Sequence, residues 1–149
     1  MARTNAERAD FLSRRRARML PALAVIYFSQ QAIYFRSTAA VHPRDVDHVW
    51  IGAWVVLSFL MLAGLTTKGF WLQPQAVRNL IDDENTLANR LEGIRIGFVV
   101  GMLTAITLYF VDVFSPMTAR EAIHIVMSLG LGAAILRFGM LERRAHRDA

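Results

Sequence analysis

Four long apolar runs, residues 19–35, 49–65, 96–110 and 122–136, are separated by short segments rich in arginine, acids, proline and small polar residues. Each run reaches about 20 residues once its flanks are counted, about the length an α-helix needs to cross a bilayer core. Backbone groups in hydrocarbon must be bonded within their own segment, and no period-of-two alternation suggests barrel strands, so each run predicts a helix. The expected architecture is all-α and polytopic, one four-helix transmembrane domain over 1–149. Its helices are expected near 19–36, 46–66, 83–114 and 119–141, after a basic tail at 1–18. An even number of crossings puts both termini on one side.

Composition agrees with a membrane setting: 54% of residues are hydrophobic and mean hydropathy is +0.33, too apolar for an ordinary soluble domain. The arginine-rich start, the first apolar run and "STAAV" together resemble the three regions of a signal peptide; the expectation is that this segment is retained as the first membrane helix. Charge supplies the direction. Of 17 basic residues, Arg3, Arg8, Arg14, Arg15, Arg16, Arg18, Lys68, Arg78, Arg90, Arg95, Arg137, Arg143, Arg144 and Arg147 fall in the tails and the second loop, against Arg36, Arg44 and Arg120 in the first and third loops. The positive-inside rule therefore predicts both termini in the cytoplasm. A pI near 10.7 is of the kind nucleic-acid-binding proteins show, but the arginines flank apolar runs instead of covering a soluble face, so no nucleic-acid partner is expected. The basic stretches "RRRAR" and "LERRAHR" match segments that bind anionic lipid headgroups. Cysteine is absent, which excludes disulfides, thiolate metal sites and cysteine nucleophiles.

Loop chemistry sets boundaries. Ser115-Pro116 ends the third helix, and Thr118 with Glu121 forms a capping box that starts the fourth. Within the runs, Gly97, Gly101 and Ala105 recur every four residues on the third helix, and Ser128 with Gly132 and Gly130 with Ala134 do so on the fourth. Such small-residue faces let helices approach closely, within one chain or between copies. Gln30 and Gln31 are the side-chain amides nearest mid-membrane, and at least one is expected to bond to another helix.

His48 and His124 lie near the outer starts of two helices that run in the same direction. At about 1.5 Å per residue their rings are expected at similar depths, which makes them an alternative axial pair for haem or a related macrocycle. No cofactor or metal is otherwise expected. Asp112, at the end of the third helix, together with Gln30 and Gln31 motivates a further alternative, a small transporter or channel. No nucleophile elbow, phosphate-cradling glycine loop or His-Glu-x-x-His pair is present, so no enzymatic activity is expected. The leading expectation is a non-enzymatic protein acting through helix packing, as an accessory subunit of a membrane complex or a homo-oligomer.

One stretch asks for more. "NLIDDENTLANRLEGIRIGF" places Asp82, Asp83 and Glu84 just before the third run. One acid can cap the helix and the others favour its positive end, leaving a polar stripe of Asp83, Glu84, Asn89 and Arg90 as the expected contact surface for a cytoplasmic partner. The longer segment "LQPQAVRNLIDDENTLANRLEGIRIGF" resembles a pattern of small four-helix bacterial inner-membrane proteins: a proline-containing inner loop, an Asp-Glu pair, an arginine-bearing amphipathic turn and a glycine-rich membrane helix. Asp83, Glu84, Asn89 and Arg90 hold the matching positions. The resemblance implies a multi-pass protein of the bacterial inner membrane and implies no particular activity.

Overall fold

The computed structural model describes residues 4–38, 45–67 and 84–147. The calls on Asp82, Asp83 and the inner loop lie outside the described residues. Among the described residues there are four helices: α1 (Asn5–Thr38), α2 (Asp45–Thr66), α3 (Glu84–Phe114) and α4 (Ala119–Arg147).

The first helix departs from the expected span. It begins well before the apolar run, so the basic tail is itself helical from Asn5 onwards. Local chemistry explains this. The Glu7 backbone N–H donates to Thr4 Oγ1 while the Thr4 N–H donates to Glu7 Oε2, a reciprocal cap, and Asp10 pairs with Arg14 one turn later at 3.0 Å. α4 likewise continues past the expected end, to Arg147. The turn between α3 and α4 is held by three side chains. Thr118 and Glu121 exchange backbone bonds across the capping box, and Asp112 accepts the Met117 backbone N–H at 2.9 Å.

α4 is the helix that the others share. α3 lies along one side of it and α1 along another, while α2 makes sparser contact with α1 and α4. Both long contacts are antiparallel: Arg16, Pro21 and Phe28 of α1 meet Glu142, Gly139 and Gly132 in turn, and Gly93 and Gly101 of α3 meet Phe138 and Gly130. Pro21 lacks the N–H that would bond Ala17, and its ring is seated where α4 offers only a hydrogen: a Cβ on Gly139 would come 2.8 Å from Pro21 Cδ. The buried core is Ala24 and Tyr27, Trp54, Met61 and Leu65, and Ala134, Ile135 and Phe138.

α3 and α4 are each long and apolar enough to cross a membrane. At 31 residues, α3 extends about 46 Å. Only 11% of its apolar window is buried, against 39% for α4, so α3 is a peripheral helix leaning on a central one. α2 and α3 face each other across an apolar cleft of about 540 Å³ floored by Val126, Gly130 and Ala134 of α4.

Candidate functional site

At the basic end of the bundle, three helices meet on one carboxylate. Glu142 of α4 is 3% exposed. Its Oε2 accepts Nη2 of Arg16 from α1 at 2.6 Å, and its Oε1 accepts Nδ2 of Asn89 from α3 at 3.1 Å. The same Arg16 nitrogen also donates to Thr86 Oγ1 at 3.2 Å, and the guanidinium stands 5.6 Å from the centroid of the Phe138 ring. A charge-assisted bond of this kind is stronger than a neutral one, and losing either partner would strand a buried charge. One turn further in, Glu92 bridges Arg137 of α4 at 3.5 Å and Arg95 of its own helix at 3.9 Å.

This network changes how the proposed contact stripe is laid out. Glu84 is exposed in the first turn of α3, but Asn89 is turned onto Glu142 and Arg90 is only 4% exposed. Asp83 lies outside the described residues. Two of the four stripe residues therefore serve the inside of the bundle.

Nearer the middle, a second polar cluster is uncharged. Ser58 donates to the Trp54 carbonyl at 2.8 Å, which uses its single O–H, so Tyr27 is the donor in the 2.8 Å Tyr27–Ser58 bond. The Trp54 indole N–H donates to Ser128 Oγ at 3.1 Å. α1, α2 and α4 are thus joined through hydroxyls and one indole. His124 belongs to this cluster: it is 5% exposed and its ring lies 4.1 Å, centroid to centroid, from the Trp54 ring. The structure gives His124 an aromatic neighbour on α2. The side chain of His48, its proposed partner in a haem pair, lies outside the described residues, as does that of Gln31. Gln30 is half-buried, with a buried Oε1 that has no hydrogen-bond partner among the described residues.

The small residues of α4 are divided between neighbours. Gly130 and Ala134 face α3, where a Cβ on Gly97 would come 2.6 Å from both the Ala134 Cβ and the Gly130 carbonyl oxygen. On its other sides, Ser128 takes the Trp54 N–H, and Gly132 lies beneath the Phe28 ring of α1. Gly101 sits more loosely, since a Cβ added there would lie 3.8 Å from Gly130 Cα, and Ala105 lines an open cleft with Leu108 and Asp112. Gly93 extends the α3 seam by one turn, its Cβ position 2.8 Å from the Ala134 carbonyl oxygen. The four-residue spacing back from Gly97 was the signal for it. Arg16, Thr86 and Glu142 were also not singled out by sequence; the one clue to Glu142 is a lone acid inside the run "LERRAHR".

The described residues define an all-α arrangement of four helices, two of them long and apolar enough to cross a membrane. No family model matches the chain, and no curated protein or solved structure is found similar to it.

Proposed function

We propose that this chain is a non-enzymatic integral membrane protein of the bacterial inner membrane. In this reading it has four spans and two cytoplasmic termini, and acts through helix packing as an accessory subunit or homo-oligomer. The observation that carries the reading is the state of α3. One narrow glycine seam of this helix is used against α4, while Phe98, Met102, Leu103, Ile106, Phe110 and Val113 stand exposed over its remaining surface. An apolar helix so little covered needs lipid or another protein around it. The arrangement of charge supports the proposed orientation: Arg15, Arg16, Arg90, Arg95, Arg137 and Arg143 gather at the end opposite the α3–α4 turn, where Arg120 lies.

Because the chain has no cysteine, single introduced thiols report on one position each. Leu103→Cys on the open face is expected to cross-link to a partner or a second copy in native membranes, and Gly101→Cys, on the α4 side, is not. A lone monomer with no co-purifying partner after mild detergent extraction would sink the packing role. A cytoplasm-only reporter fused after Ala149 is expected to be active; an inactive one overturns the orientation.

A further inference from the structure

A cleft of about 550 Å³ opens between the basic ends of α1 and α4, lined by Arg14, Ala17, Arg18, Arg143, Arg144 and Arg147. Arg14 and Arg18 are one helical turn apart on α1, and Arg143, Arg144 and Arg147 occupy the last turns of α4, so arginines of two antiparallel helices line one space. Ala17 between them is buried and small, which leaves the floor of the cleft open. Among the described residues, two acids stand close by. Glu142 is directed away, to Arg16 and Asn89, and the Asp10 carboxylate pairs with Arg14 at 3.0 Å on an exposed face. Among the described residues the lining holds five arginines and no acid, so the charge on its walls is of one sign.

Planar guanidiniums bind phosphate through paired N–H donors, and several arranged around a pocket suit a group carrying more than one negative charge. We propose that this cleft is a phosphate-binding site, taking the phosphate of either an anionic lipid headgroup or a free polyphosphate. The proposal rests on the membrane reading only for the lipid source.

The full chain is purified in neutral detergent and tested in two arms: titration with inorganic tripolyphosphate, and reconstitution into phosphatidylcholine nanodiscs with or without phosphatidylglycerol, followed by native mass measurement of retained lipid. Arg18→Gln/Arg144→Gln is compared with Arg15→Gln/Arg95→Gln, which removes the same charge from the same end but outside the cleft. Binding in at least one arm is expected, weakened about tenfold or more by the cleft pair and much less by the other. The arm that responds names the source. Equal weakening by the two pairs, or binding in neither arm, overturns the site. Neither result bears on the packing role, which the Leu103→Cys cross-link tests separately.

Discussion

At its basic end the bundle buries a carboxylate and a guanidinium; half-way along, it buries hydroxyls, an indole and an imidazole. Both clusters tie three helices together, yet they sit 14 residues apart on α4, from Ser128 to Glu142, or about 21 Å along its axis. On the membrane reading, this separation follows from cost. A charge at mid-bilayer is expensive even when paired, whereas near the headgroups the same pair is close to water. Neutral hydrogen bonds carry no such penalty and are worth about 0.6 kcal/mol on average between membrane helices. The charged cluster therefore gives a large loss when halved and little when replaced whole, and the neutral cluster gives small losses throughout.

That contrast ranks the expected effects. Glu142→Ala strands Arg16, so we expect about 3–5 kcal/mol lost in a reversible detergent unfolding titration, with most of it regained in Arg16→Met/Glu142→Leu. A loss below that of any neutral-cluster variant would break the comparison. Gly97→Leu drives a side chain into the Ala134 Cβ and the Gly130 carbonyl; about 1–3 kcal/mol is expected, as for overpacking, read from the same titration together with loss of an α3–α4 cross-link. Ser58→Ala removes the acceptor of Tyr27 and should cost least, about 0.6–1.7 kcal/mol. A cost in the range expected for Glu142→Ala would show that the two clusters are energetically alike.

What the sequence disclosed follows the range of the interactions. Helix ends beside turns were legible because their causes are local: Ser115-Pro116 and the Thr118–Glu121 box lie within a few residues of the boundaries they set. Small-residue spacing likewise marked Gly97, Gly130 and Ala134 as contact positions. It did not reveal that Gly130 and Ala134 serve α3 while Ser128 and Gly132 serve α2 and α1, because periodicity identifies a face and not its neighbour. The Arg16–Glu142 pair joins residues 126 positions apart, and nothing nearby in the chain marks Arg16 out from Arg14, Arg15 or Arg18. The sequence pairs His124 with another histidine, whereas its aromatic neighbour is Trp54; such a contact depends on how α2 and α4 are rotated about their axes. Hydropathy carries no signal for the helical N-terminal tail, which starts from an ordinary cap between Thr4 and Glu7.

The central position of α4 also bears on synthesis. The helix that α1, α2 and α3 share is translated after all three, so the earlier segments must wait in partly assembled form, with the α1 and α3 faces that α4 will cover still open. α3 is joined to α4 by a short turn and can close onto it at once, whereas α1 must find it across more than a hundred residues of chain. A ribosome that stalls before α4 would leave a nascent chain with apolar faces and no common partner, a natural substrate for quality-control proteases.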